Sequence, residues 1–422
     1  MIVLFVAGRT CVTKRLQRIA IVGAGPVGLE AALSAVEAGF DVDVFERGRV
    51  AENVRQWGHV RLFSPFGLNC SAWGRLALAN SVDGFRLPAE DELLTGREFA
   101  ERYLIPLSQL PQLAGRIHED VEVRALGRSQ TWKGDLIGQP VRADDPFRLL
   151  LCDSLGERTV EADCVLDCSG TYPNHNWIGA GGVPGIGETS ALADDDYRLP
   201  DVLGADRSRF AGRKTLVVGS GYSAATAVVS LAQLAEAEQG TQIVWLTRSS
   251  RTPPMPRIDD DILEERDRLA ESANRLATSN DGPVEWRRSC FIRRIERGPA
   301  SEGVVVSIEG LRQLANAGDA KSSLEQIVVD RVIANVGYRP DRRLYEELQV
   351  HECYATQGPM KLAVALLGET SADCLAQASH GAEILRNPEP QLFILGSKSY
   401  GRDSRFLLKI GIEQIREVFS VL

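Results

Sequence analysis

Residues 18–47 read RIAIVGAGPVGLEAALSAVEAGFDVDVFER, and no other stretch restricts the fold as much. Arg18 to Val22 is a short apolar run suited to a buried parallel strand. Gly23-Ala24-Gly25-Pro26-Val27-Gly28 follows at once, then an Ala/Leu/Val-rich helical segment to about Gly39, then a second strand from Asp41 that ends in Glu46. In such a βαβ unit each glycine has a physical task. Gly23 permits the tight strand-to-helix turn, Gly25 lets backbone N–H groups approach a pyrophosphate, and Gly28 lets the helix lie close on its strand. The helix N-terminus, with Pro26 in its first turn, presents unpaired donors and about half a positive charge to phosphates. Glu46, with Arg47 beside it, is placed to accept hydrogen bonds from adenosine ribose hydroxyls. Strand, turn, helix and acid agree, so the stretch reads as a dinucleotide site with FAD as the expected occupant.

The chain has 422 residues, enough for about two domains. Its apolar fraction of 44% and charged fraction of 25% are those of a soluble globular protein. A net charge of −9 without a long basic block argues against a nucleic-acid partner. No apolar run approaches the roughly 20 residues that span a bilayer, so no membrane partner is expected. In MIVLFVAGRTCVTKRLQR the basic residues follow the apolar stretch, the reverse of a secretion signal. Residues 1–17 are read as an N-terminal extension: an appended strand, a loose tail or an upstream start. The eight cysteines (11, 70, 152, 164, 168, 290, 353 and 374) include no CxxC, and no metal site is read. They fit free thiols in a reducing cytoplasm, with thiol chemistry as the alternative.

Residues 48–75 mix Trp57, Phe63, Phe66 and Trp73 with His59 and glycines, a candidate cover for a flavin ring or a loop packed by its own aromatics. A helix is expected from near Thr95, with Phe99, Tyr103 and Leu104 on one face. Strands are expected at 121–127 (VEVRALG, in which Glu122 is placed beside the first nucleotide) and at 147–153. Val160 to Asp167 is expected as one strand turning sharply at Cys168-Ser169-Gly170, close to the cofactor. Residues 180–212 read as a crossing segment.

The opening pattern recurs in KTLVVGSGYSAATAVVSLAQLAEAEQGTQIVWLTRSSR. Its turn is Gly219-Ser220-Gly221-Tyr222-Ser223-Ala224, with Ala in the third glycine position. Where the first unit has Glu46, this one has Arg248, with Arg251 close behind. A guanidinium attracts a 2′-phosphate and can bind it bidentately, which points to NADPH. A charged helix is expected near 259–278 and an exposed turn at ANAGDAKSSLEQ. IVVDRVIANVGYRPD at 327–341 repeats the strand-to-glycine closure. The end of the chain reads as a strand at Leu392–Leu395, a loop over Gly396–Asp403, and a helix from about Ser404 capped by Asp403 or Ser404.

These features together resemble the flavoproteins with paired FAD and NADPH domains, the pyridine nucleotide-disulfide reductases and flavin-containing (class B) monooxygenases. The resemblance covers about residues 18–422 and rests on GAGPVG…FE, GSGYSA…TRSSR and NVGYRPD. It implies an α/β fold on a glutathione reductase-like plan: an FAD-binding Rossmann-like domain (18–200 and 340–422) with an inserted Rossmann-like NADPH-binding domain (201–339). No CxxC or CxxxxC pair of the disulfide reductases is present. The region before the second glycine turn holds Phe210 and Gly212 but not the His of an FxGxxxH fingerprint, so Baeyer–Villiger activity is not expected. Gly396-Ser397 stands where relatives carry Gly-Asp. The implied activity is a cytoplasmic FAD- and NADPH-dependent monooxygenase, forming a C4a-hydroperoxyflavin from O2 and oxygenating a small N- or S-nucleophile, as a possible homodimer. Its catalytic candidates are His59, Lys398, Tyr400 and Arg402, with Trp57 near the ring. The alternatives are a reductase passing electrons to a disulfide, quinone or protein, in which Cys70, Cys353 and Cys374 would matter, and a non-catalytic flavoprotein.

Overall fold

The computed structural model describes residues 17–81, 84–172, 174–298, 303–310, 324–368, 375 and 379–422. The first unit is a parallel sheet of order β15-β7-β1-β2-β3, where β1 is Arg18–Val22, β2 Asp41–Phe45, β3 Ile117–His118, β7 Cys164–Asp167 and β15 Leu392–Ile394. Alternation along β1 divides two cores. Ile19 and Ile21 pack with helices α1 (Pro26–Glu37) and α4 (Leu408–Phe419), which cross on one face. Ala20 and Val22 point the other way, into an antiparallel sheet of β4 (Glu122–Arg128), β5 (Phe147–Asp153) and β6 (Gly156–Ala162). Both faces are covered, which is why β1, β7 and β15 read as nearly continuous apolar runs, while β2, nearer the sheet edge, alternates.

The second unit repeats this three-layer plan. Its parallel sheet has the order β10-β9-β8-β14, from β8 (Lys214–Val218), β9 (Gln242–Leu246), β10 (Val284–Arg287) and β14 (Arg331–Ala334). Val217, Ile243 and Trp245 pack under helices α2 (Tyr222–Ala237) and α3 (Glu264–Thr278). Leu216, Val244 and Val332 face a second antiparallel sheet of β11 (Cys290–Arg297), β12 (Val304–Gly310) and β13 (Leu324–Val329). All of β8–β14 lies in sequence between β7 and β15, which are paired neighbours.

Several boundaries differ from the sequence expectations. Val160–Asp167 is two strands, because Asp163 leaves the antiparallel sheet there: its carboxylate accepts the Gln17 and Arg18 N–H groups at 3.0 and 3.1 Å, and its own N–H donates to the Arg18 carbonyl. Asp330 divides β13 from β14 in the same way, accepting the Lys214 N–H at 2.7 Å. Residues 48–75 contain a helical turn at Glu52–Gln56 and the start of a helix at Ala72–Ser81. The Thr95 helix starts at Gly96 with the capping box Thr95/Glu98, and Phe99, Tyr103 and Leu104 are all buried. The charged helix starts at Glu264 rather than 259. The C-terminal helix starts at Leu408 without a side-chain cap, because Asp403 is committed to the N–H and guanidinium of Arg405. Most of ANAGDAKSSLEQ, Cys11, Cys374 and residues 1–16 lie outside the described residues.

Candidate functional site

The first cradle forms where β1 turns into α1. Gly23 has φ +99°, and its N–H donates to the Phe45 carbonyl at 2.8 Å. A Cβ on Gly28 would stand 1.9 Å from the Gly23 carbonyl oxygen, so no side chain fits between helix and turn. A Cβ on Gly25 would meet nothing within 4 Å. Gly25 is the N-cap, makes no side-chain cap bond and is followed by Pro26, so the N–H groups of Val27 and Gly28 open onto that space. An open, donor-lined cradle fits a pyrophosphate.

Glu46 ends β2 as expected, but its carboxylate also organises the turn. Oε2 accepts the Ala24 N–H at 2.8 Å and Oε1 the Gly48 N–H at 2.9 Å. Each oxygen keeps a second lone pair for a ribose hydroxyl. Arg47 is exposed beside it. The segment holding position 122 runs alongside, with the Val121 N–H donating to the Glu46 carbonyl at 2.9 Å. The Glu122 carboxylate faces away toward Arg124, at 3.2 Å.

Around the carboxyl ends of β7 and β15 the cradle is closed by a buried polar network. Asp167, at the end of β7, and Lys398 are paired at 2.6 Å with their side chains 0% and 1% exposed. Lys398 Nζ also donates to Ser169 Oγ at 3.0 Å, and that hydroxyl donates to Asp167 Oδ1 at 2.6 Å. Gly170 adopts φ +70°, with Ser397 Oγ 3.4 Å from where its Cβ would be. Gly396 lies against Val27 of α1, and its N–H donates to Gln414 of α4 at 2.8 Å. Gln414 also donates to Ser399 Oγ at 3.0 Å, so the 396–399 turn is tied to the C-terminal helix. Lys398 is therefore an internal ion pair and not a loop charge. Tyr400 is buried, its ring edge-on to Phe406 at 5.4 Å. Arg402 is exposed and donates to Gln357 at 2.9 Å.

The second cradle has the same turn with different surroundings. The Gly219 N–H donates to the Leu246 carbonyl at 3.1 Å, while the Gly219 carbonyl accepts from the Trp245 indole at 2.8 Å. A Cβ on Gly219 would lie 2.1 Å from the Asn335 carbonyl oxygen, and one on Gly221 would meet nothing within 4 Å. Asn335 Oδ1 is buried with no partner among the described residues. Gly221 and Ser223 are exposed, Ala224 is buried, and Arg248 and Arg251 stand exposed beyond β9. This geometry fits a second dinucleotide whose adenosine end reaches solvent.

His59 and Trp57 are not gathered at the Gly396–Arg402 loop. Trp57 is packed against Gly96, where a Cβ would come within 2.5 Å of its ring. His59, with Nε2 buried and unpartnered, lines a cleft of about 350 Å3 whose other walls include Val202, Thr226 and Ser230 of the second unit. The nearby Phe63 meets Tyr222, the first residue of α2, at 5.5 Å.

Asp167, Gln414, Asn335 and Glu30 were not singled out from sequence. Glu30, buried in α1, accepts from the Ser71 N–H, the Ser71 hydroxyl and the Tyr103 hydroxyl at 2.9, 2.7 and 2.5 Å. It thereby ties the aromatic loop to the cradle helix. Burial is the main cause that pushes the neighbouring Cys70 thiol up to about 12 and the Tyr103 hydroxyl well above its ordinary value. The available signal was an acid or amide inside an otherwise apolar run, as in CVLD and IGIEQI.

No protein-family model and no curated protein matches the chain. Among solved structures, bacillithiol disulfide reductase from Bacillus cereus is similar over 96% of this chain and 98% of its own, at 17% identity and TM-score 0.65. The Kutzneria sp. 744 ornithine N-hydroxylase (FADred–NADP+–L-orn) is similar over 96% and 98%, at 16% identity and TM-score 0.60. Thioredoxin reductase from T. acidophilum is similar over 95% and 97%, at 16% identity and TM-score 0.55. The chain thus has the two-unit, Rossmann-like fold of the pyridine nucleotide-disulfide oxidoreductases, a fold shared by reductases and an N-hydroxylase. No helix among the described residues is long and apolar enough to cross a membrane.

Proposed function

We propose that this chain is an FAD- and NADPH-dependent oxidoreductase that transfers one oxygen atom of O2 to a small N- or S-nucleophile. Residues 18–200 with 340–422 form its FAD-binding part and residues 201–339 its NADPH-binding part. The observation that carries this reading is the pair of open, donor-lined glycine cradles, one ending in Glu46 and the other in Arg248. FAD, when bound, supplies hydride acceptance from NADPH and the activation of oxygen. Per turnover one NADPH, one proton and one O2 are consumed, and water leaves with the oxygenated product.

The chain's own residues bind and orient. The α1 N-terminus holds the FAD pyrophosphate, and Glu46 accepts from the ribose. Ser169, Gly170, Gly396 and Ser397 shape the closure, where the backbone N–H and hydroxyl of Ser397 replace a carboxylate. Lys398 is a positioning residue, holding Asp167 and Ser169 in place. Tyr222 to Ala224 and the α2 N-terminus hold the NADPH pyrophosphate, and Arg248 and Arg251 its 2′-phosphate.

One observation favours a second reading, a reductase that passes electrons to a disulfide, quinone or protein. The Cys353 thiol is held below its ordinary value, chiefly by the Thr356 backbone N–H, an effect that outweighs burial. A lowered value raises the thiolate fraction, and the side chain is buried, so an acceptor disulfide would reach it only after that segment opens. The deciding experiment is NADPH consumption screened against amines, thiols and ketones, with oxygen uptake and free peroxide recorded together. Oxygenated product with little peroxide supports the first reading. Anaerobic turnover with an artificial acceptor that is lost in Cys353→Ser supports the second. Protein that stays colourless after incubation with FAD overturns both.

A further inference from the structure

A cavity of about 590 Å3 lies apart from both glycine turns, between the segments that follow β7 and β14. Its walls include Asn174, Arg339, Arg342, Tyr345, Leu348 and Gln357. That volume is in the usual range for a small-molecule site. The acids on its wall are mostly neutralised from within. Asp341 is paired with Arg343 at 2.6 Å, and Glu352 receives Arg342 at 2.8 Å and the Tyr345 hydroxyl at 2.9 Å. Glu346 also lines the cleft beside Lys133, whose ammonium donates to the Glu346 carbonyl.

The surplus is cationic. Arg339 has no carboxylate partner among the described residues, and its guanidinium lies 5.7 Å from the Trp177 ring. Arg402 reaches the same wall through Gln357, at 2.9 Å. Burial first, and then the charges of Arg339 and Arg342, hold Arg402 below its ordinary value. Arg339 and Arg342 on the wall, and Arg402 bonded to the wall residue Gln357, therefore bring three guanidinium groups to this cleft, of which Arg342 is paired with Glu352. Crowded like charges are unfavourable until an anion joins them, and guanidinium forks match an oxyanion bidentately.

The remaining lining is apolar: Pro340, Tyr345, Leu348 and Val350, of which Val350 is half-buried while Tyr345 and Leu348 are 4% and 1% exposed. Beyond the Tyr345 ring, 5.1 Å from its centroid, is Lys398 Nζ, which contacts Ser169 of the first cradle's closure. A ligand on this wall lies one aromatic ring from that closure.

We propose that this cleft binds a small organic acid, its carboxylate held by Arg339 and Arg402 and its apolar body lying on Tyr345, Leu348 and Val350. The further role of that acid as the substrate rests on the oxidoreductase reading; the binding does not.

The test is isothermal titration of the purified full chain with 3-phenylpropionate, with its neutral amide and with inorganic phosphate. Phenylpropionate is expected to bind saturably, and the amide at least about tenfold more weakly. Arg339→Gln and Arg402→Gln are each expected to lower the phenylpropionate affinity about tenfold, while Arg416→Gln, an exposed charge on α4, leaves it unchanged. Arg402 is exposed, so its variant folds even if the Arg339 variant does not. Absence of phenylpropionate binding, equal binding of acid and amide, or full affinity in Arg402→Gln overturns the proposal. Phosphate binding as tightly as phenylpropionate also overturns it, since the apolar wall would then contribute nothing. No NADPH or oxygen enters the measurement, so it stands or falls separately from the oxidoreductase reading.

Discussion

The two cradles share one turn geometry and differ in almost everything around it. In the first, Gly28 is pressed onto the Gly23 carbonyl, Glu46 is bonded into the turn, and the Asp167–Lys398 pair closes the floor. In the second, Ala224 tolerates a methyl at the matching place, Asn335 leaves an acceptor unpaired, and Gly221, Ser223 and Arg248 are exposed. Polar groups sequestered in a completed network resist rearrangement, whereas exposed ones exchange partners with water cheaply. On the proposed reading, the first cradle suits a resident nucleotide and the second suits one that comes and goes.

The harshest attempt to erase that contrast is Gly28→Ala. The added methyl meets backbone, which cannot rotate away, so the cost should exceed the roughly 1–3 kcal/mol usual for overpacking. The expected result is loss of FAD uptake, read from flavin absorbance, and a large fall in melting temperature. Ala224→Gly, the reciprocal change, should cost only about 1 kcal/mol.

Next in size is the closure pair. Lys398→Met leaves the buried Asp167 carboxylate without its cation and should cost about 3–5 kcal/mol in chemical unfolding. The double variant Asp167→Leu/Lys398→Met should recover most of that loss. Equal losses in the single and double variants would show that the pair is not coupled.

A smaller effect, confined to the second cradle, is expected for Arg248→Gln. Losing a charge-assisted bond of about 1.5–3 kcal/mol should raise the KM for NADPH by roughly 10- to 100-fold and leave that for NADH nearly unchanged. An equal rise for both nucleotides would remove Arg248 from 2′-phosphate recognition. The smallest effect is expected for Glu46→Gln, which keeps one backbone-accepting oxygen. It should weaken FAD retention by about 1 kcal/mol, measured as the apoprotein's dissociation constant.

Much of this architecture could be read before any coordinates, because it is written in local patterns. The βαβ units declare themselves through apolar runs, glycines at fixed offsets and a terminal acid or arginine, all within some thirty residues. The helix start near Thr95 and the shared face of Phe99, Tyr103 and Leu104 were legible for the same reason, whereas the Thr95/Glu98 capping box emerged from the structure. The strand breaks at Asp163 and Asp330 were not, since an acid inside an apolar run reads as a blemish until it is seen holding the N–H groups of a distant strand.

What the sequence by itself determined was the repeated turn and the chemistry at the end of each second strand. Those depend on backbone sterics and on one side chain each. Only the tertiary structure decided that Lys398 is sequestered against Asp167, 231 positions before it in the chain, and that Arg402 is hydrogen-bonded to Gln357 on the wall of the cleft that Arg339 lines. The physical reason is that burial and charge pairing depend on which distant segments meet, and chain folding, not residue type, brings those segments together.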